Sequence, residues 1–328
     1  MGRVALDGTK VRAAASRHRA MSYDRMVRAE AELAAEVEAL LADAERLDAV
    51  EDAAYGPDRR GDELPAELTR REGRLAAIRM AKAALEAEHA AKARAQAEQG
   101  AAERDQDPAQ VIEAGDAAEA AAVVPGRAQR SFTDPDARIM KTSDGSFHYC
   151  FNGQAVVDEK SQVVLAASLR QSGSDAPALP DMLTELAASL TAAGIDGTPR
   201  TLLADAGYFS ADNIDAAVTA GMNPLLATGR LKHGEQPQPV PRGRIPAGLT
   251  PKARMSRKLR TKKGKADYAR RKAIVEPVFG QIKVAQGAHQ LRLRGQVKAD
   301  IEWTFHLACH NFRKLAGSGW TTTQMATN

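Results

Sequence analysis

Apolar side chains recur along this chain with two different periods, and the change of period divides it. Near the start, Arg3-Val4-Ala5-Leu6-Asp7-Gly8 reads as a short strand ending in a carboxylate and a turn glycine. From Tyr23 to Val50, the residues Leu33, Val37, Leu40, Ala44 and Leu47 step by four and three, the spacing of a helix with one narrow apolar seam. Tyr55-Gly56-Pro57 and Gly61 to Pro65 interrupt it, and Leu68, Leu75, Ile78 and Leu85 mark a second helix. The two are expected to pair as an antiparallel hairpin. Between Glu86 and Arg130 the chain is rich in Ala, Glu and Gln with little apolar periodicity, and through Val123-Val124-Pro125-Gly126 it reads as helix end and linker.

The texture changes at Ser131. Tyr149 to Val157 and Gln162 to Leu169 are β-prone runs joined by Asp158-Glu159-Lys160-Ser161, which predicts an antiparallel pair. Ala176 to Ala193 carries Leu179, Met182, Leu183, Leu186 and Leu190 at helical spacing, and Gly194 ends it. Thr201 to Ala204 is a strand that stops at Asp205-Ala206-Gly207-Tyr208. A helix capped by Ser210 and a strand around Asn223 to Ala227 follow, then a basic loop, then helices over Lys265 to Val284 and Val297 to Leu315. In the last of these, Trp303 and Phe305 are expected to anchor the core. With the helical stretch set aside, a mixed α/β sheet flanked by helices remains. The expected organisation is the first strand in residues 1–20, a helical hairpin insertion and linker in 21–130, and the rest of the sheet domain in 131–328.

Composition narrows the function classes. Aromatic residues make up only 4% and alanine is frequent, which favours helix over an all-β sandwich. No apolar run is long enough for a membrane span, and the first residues meet charge too early for a secretory signal, so a cytoplasmic location is expected. Cys150 and Cys309 are the only cysteines and form no CxxC pair, so neither a disulfide framework nor a thiolate zinc site is indicated. The histidines show no HExxH spacing, and no GxSxG elbow or GxxxxGK[ST] loop is present. The net charge of +4 conceals a block from Arg230 to Lys272 with fifteen Lys or Arg against two acids, Glu235 and Asp267. Such a block is either a solvated loop or a surface for nucleic-acid phosphates.

Two-ion phosphodiester chemistry needs a few converging carboxylates, and hard oxygen donors suit magnesium. Asp7 and Asp205 each follow an apolar run at the carboxyl end of a strand, where α/β sheets present ligand-binding side chains. Either one alone is also a common turn residue. Asp158 is a rival first acid at a hairpin turn. Glu276 would be the third acid, one turn after Lys272 and nearly two turns before Lys283, so that Glu276 and Lys283 are expected on nearly the same helix face. The plain alternative is a surface ladder of i,i+4 ion pairs.

These residues resemble the DDE transposases of bacterial insertion sequences that carry a Tyr-Arg-Glu-Lys signature. The resemblance covers most of the chain, through Asp7-Gly8-Thr9-Lys10, His18 to Met26, Phe132 to Asp136, Asn152 to Asp158, Ala204 to Tyr208, Glu276 to Lys283, Arg294-Gly295, Glu302-Trp303 and His310-Asn311. It implies a ribonuclease H-like fold, two magnesium ions with manganese as a substitute, and nicking and strand transfer at transposon ends by a homodimer on DNA, at the nucleoid. Carried over by position, Asp7, Asp205 and Glu276 match the metal-binding acids, and Tyr268, Arg271 and Lys283 match the signature residues that contact DNA. Four residues rather than three separate Arg271 from Glu276, and Lys272 has the three-residue gap instead. Members of the family carry a helical DNA-binding region before the first acid, whereas six residues precede Asp7 here. A truncated, catalytically inactive DNA-binding remnant is therefore the alternative expectation. A third is a coiled-coil oligomerisation protein.

Overall fold

The computed structural model describes residues 2–16, 19–55, 66–229, 239–246 and 248–318, with the backbone alone for 47–55 and 66–67. His18, the Leu47 side chain, the breaks at Gly56-Pro57 and Gly61 to Pro65, and residues 230–238 of the basic block lie outside them. In chain order the elements are β1 (Arg3–Arg12), β2 (Ala20–Ser22), α1 (Tyr23–Tyr55), α2 (Ala66–Ala102), α3 (Pro108–Ala120), β3 (Gln129–Ser131), β4 (Arg138–Lys141), β5 (Phe147–Asp158) and β6 (Val164–Arg170). They continue with α4 (Leu179–Ala192), β7 (Thr201–Ala204), α5 (Ala211–Thr219), β8 (Asn223–Leu226), α6 (Pro251–Arg260), α7 (Lys262–Gly280) and α8 (Gln296–Gly317). Two compact units result, one of Met1–Ala15 with Asp136–Asn328 and one of Ser16–Pro135. No helix of the described residues is long and apolar enough to cross a membrane.

In the second unit α1 and α2 run antiparallel, as the descending partners show: Glu36 pairs with Arg71, Glu30 with Arg79 and Lys82, and Tyr23 with Glu86. Leu33, Val37, Leu68, Leu75, Ile78 and Leu85 close the seam between them. The stretch expected to be a linker contains α3 instead. Asp107 caps it, its carboxylate accepting from Ala109 and Gln110 N while Gln110 reaches back to Asp107 N, and Pro108 starts the first turn. Alanine and glycine let this helix lie close on α2, where a Cβ on Gly115 would stand 2.6 Å from Glu98. Antiparallel pairing of β2 with β3 closes the unit.

The first unit is a mixed sheet in the order β4-β5-β1-β7-β8, with β6 also on β5. β1, β7 and β8 are parallel, and β5 runs antiparallel to β1. β1 does not stop at Asp7. Twelve-residue β5 pairs it through Arg12↔Cys150, and Val11 is fully buried. Only its β7 neighbour ends early. Even-numbered β1 residues, Val4 and Leu6, share one face with Val156, Leu202 and Ala204, and the Leu179–Leu190 stripe of α4 covers them. α7 lies against β1, β5 and β7. Trp303 of α8 fills the space over Gly153, where a Cβ would meet its ring at 2.7 Å.

The outer edge of β6 is sealed by α8: Asn311 bonds both N and O of Val164, Asp300 accepts from Leu169 N, and Gln296 donates to Leu169 O. At the other edge, Lys258 donates to Pro224 O of β8 at 2.7 Å. Two expectations are corrected here. The basic segment is not all loop, because Thr250 caps α6, Pro251 opens it and Met255 anchors it in the core. Phe305 is not a core residue but 64% exposed, since two positions on from buried Trp303 puts it roughly 200° round the helix.

Candidate active site

The last paired residues of the parallel ladder between β1 and β7 are Leu6 and Ala204. Asp7 and Asp205 come next on each strand, so the two carboxylates leave adjacent strands at the same level, on the face opposite Leu6 and Ala204. Asp205 stops β7 by capping the short turn Ala206–Tyr208, its Oδ1 accepting from Gly207 N at 2.8 Å. Asp7 is held inside the sheet, with Oδ1 accepting from Gly8 N at 3.0 Å and Oδ2 from Arg271 Nη1 at 2.8 Å. Burial pushes the Asp7 carboxyl above the usual carboxylate range; Arg271 draws it back and Asp205 adds to the rise.

α7 supplies the facing side chains and is fastened along β1. Near its start Asp267 accepts from Arg3 at 2.6 Å, and Arg3 and Arg270 also hold Glu159. One turn later Arg271 meets Asp7. Tyr268 lies against Arg271, and burial raises its phenol. Pro277 within the helix has no N–H to offer, and the carbonyl this frees, Ala273 O, accepts from Gln162 Nε2 at 2.9 Å. A π-helical turn, Gln281–Ala285, follows. Lys283 in that turn donates to Lys10 O at 2.8 Å, and burial lowers its ammonium.

Glu276 and Lys283 therefore do not share a face. The π turn adds residues per revolution, so Lys283 turns in to β1 while the Glu276 side chain stays 56% exposed. Glu276 also follows Arg271 by five positions, roughly 140° round the helix, so it points away from the Asp7 that Arg271 grips. Among the described residues its one ion pair, at 4.0 Å, is with Lys272, itself 73% exposed, a surface pair of little energy. Among the described residues no three His, Cys, Asp or Glu side chains converge closely enough to hold a metal ion. The rival acid Asp158 is spent on its turn, its Oδ2 accepting from Lys160 N, Ser161 N and Ser161 Oγ, each at 2.9 Å.

The structure thus brings Asp7, Asp205, Arg271 and Tyr268 together, places Lys283 farther along the same strand, and leaves Glu276 and Lys272 on the surface. It adds a residue that sequence reasoning passed over. Asp175, before the turn Ala176–Ala178, accepts from Asn152 Nδ2 at 2.6 Å and Gln154 Nε2 at 3.0 Å. The available signal was Asn152-Gly153-Gln154, where polar residues two apart interrupt an apolar strand and both come out fully buried.

Parallel strands carrying two adjacent carboxylates, in a mixed sheet between helices, are consistent with the ribonuclease H-like domain of a transposase. The family model described as the transposase DDE domain matches residues 124–312, more than half of the chain, and the chain belongs to that family. The matched span includes Asp205, Glu276 and the α7 cations, while Asp7 lies outside it. Neither curated proteins nor solved structures give a significant match. A transposase domain acts on DNA, which makes DNA the partner of this chain.

Proposed function

We propose that this chain is a DNA transposase that cleaves and rejoins phosphodiester bonds at the ends of its element, as a homodimer on DNA, with a divalent cation held by Asp7 and Asp205. The observation that carries the reading is the placement of these two acids directly after the last paired residues of adjacent parallel strands. Their donor set fits the ion: two neighbouring hard carboxylates, of which Asp7 is desolvated enough to be lifted in pKa and gains from any added positive charge. Magnesium, or manganese in its place, would supply activation of the attacking oxygen and stabilisation of the leaving one. A second ion would need a third acid; Glu276, exposed and turned away from Asp7 in the DNA-free chain, fills that place only by turning inward, and nicking by Glu276→Gln at the parent rate would exclude it.

The chain's own cations have distinct tasks. Arg271, with its planar fork beside Asp7, is placed to orient a phosphate at the acid pair, and Tyr268 buttresses it. Lys283, tethered to the Lys10 carbonyl, marks the path of the strand along β1. Lys272 stands outside as a surface charge for the DNA backbone. α6, with Lys252, Arg254, Arg257 and Arg260 and no acid, adds salt-sensitive backbone affinity. The test is Asp205→Asn: element-end DNA should still bind, while nicking in magnesium falls at least 100-fold. Nicking at the parent rate would refute the assignment.

A further inference from the structure

Behind the acid pair, on the face of the sheet that α4 covers, lies a polar network that the proposed chemistry leaves idle. Gln154 is paired with Gly8, and Asn152 with Lys10, across the β1–β5 ladder. Both amides donate to the same oxygen, Asp175 Oδ1. Gln154 Oε1 in turn accepts from the buried Tyr208 hydroxyl. Asn213 Nδ2 donates to Tyr208 O at 2.7 Å and to Ala176 O at 2.9 Å, stitching the turn after Asp205 to the turn after Asp175. Lys10 Nζ, 3.6 Å from Asp175, partly balances its charge.

This network touches the backbone beside each acid. A Cβ on Gly8, the residue after Asp7, would stand 2.5 Å from Gln154 Nε2, 2.6 Å from Asp175 Oδ1 and 3.0 Å from Asn152 Oδ1. A Cβ on Gly207, whose N–H binds Asp205, would stand 3.1 Å from Asp175 Oδ2 and 3.0 Å from Asp205 Oδ1. Among the described residues Asn152 Oδ1 is buried without a hydrogen-bond partner, and a Cβ on Gly8 would stand 3.0 Å from it, so this amide is packed directly on the Gly8 backbone.

We propose that Asp175 is a positioning residue: by gathering Asn152 and Gln154 under Gly8 and abutting Gly207, it sets the spacing of Asp7 and Asp205. The inference rests on the transposase reading for its use, but not for its geometry. Asp175→Asn keeps an oxygen for both amides and drops the charge; Asp175→Ala removes the oxygen as well. Manganese binding to the DNA-free protein, followed by electron paramagnetic resonance, should weaken at least 10-fold in Asp175→Ala and no more than about 3-fold in Asp175→Asn, with DNA binding unchanged in both. In the metal-free proteins, hydrogen exchange at Gly207 N should quicken at least 10-fold in Asp175→Ala alone. Parent-like manganese affinity or parent-like Gly207 protection in Asp175→Ala overturns the proposal. An Asp175→Asn variant that falls as far as Asp175→Ala also overturns it, because the carboxylate would then be a ligand. Failure of the parent itself to bind manganese would sink the transposase chemistry, and the exchange at Gly207 would still decide the role of Asp175.

Discussion

Replacing Arg271 with alanine removes the guanidinium 2.8 Å from Asp7 Oδ2 in a pair whose side chains are only 11% and 16% exposed. The gross attraction of two unit charges about 4 Å apart at an effective dielectric of about 20 is roughly 4 kcal/mol. Losing one partner of a buried pair costs roughly 3–5 kcal/mol when the other must stay charged. Asp7 has an escape, because it can take up a proton. Its folded-state pKa is already raised by burial, and losing Arg271 removes the strongest influence that lowers it, so the pKa rises further. A raised carboxyl favours folding below its unfolded pKa and loses that advantage as pH climbs through the folded value. The destabilisation by Arg271→Ala should therefore be smallest in acid and grow with pH. Expected values are about 1 kcal/mol at pH 4.5, from the lost packing of the arginine stem, and about 2–3 kcal/mol at pH 8. Urea unfolding in the presence of a chelator, across that pH range, measures it. A difference that does not change with pH, or that is largest in acid, would refute the account of Asp7 as a buried carboxyl whose pKa Arg271 draws down.

Other substitutions probe the remaining contacts. Gly8→Ala drives a methyl into Gln154 and Asp175 and should destabilise by about 1–3 kcal/mol, read by urea unfolding, while weakening manganese binding in parallel with Asp175→Ala. Gly153→Ala meets the Trp303 ring at 2.7 Å and should cost a similar amount. Trp303→Ala should cost about 3–5 kcal/mol, and the double variant should be less destabilised than the two single effects combined, because the cavity accepts the added methyl.

Much of the framework was legible because it depends on near neighbours. Leu33 to Leu85 announce two facing helices through spacing alone, and Leu179 to Leu190 announce α4, since a helix face is set by residues three and four apart. The β-prone run from Tyr149 to Val157 announces β5 because strand preference is likewise a local property of its residues. Even α3 was readable in principle, because Asp107-Pro108-Ala109-Gln110 is a helix start written within four residues.

What the chain could not reveal locally depends on partners far away. That β1 runs on past Asp7 to Arg12 is decided by a twelve-residue partner more than a hundred positions later. The π turn that separates Lys283 from Glu276 breaks a periodicity that sequence spacing assumes to be uniform. Asp175 has no local signature at all; it matters because Asn152, Gln154, Gly8 and Gly207 meet around it. The kinds of residue at the site, carboxylates at strand ends and cations on one late helix, belonged to the sequence by itself. Which carboxylate stands beside which, and that Arg271 rather than Glu276 faces Asp7, were decided only by tertiary structure, because strand register and helix rotation are set by packing across the whole sheet.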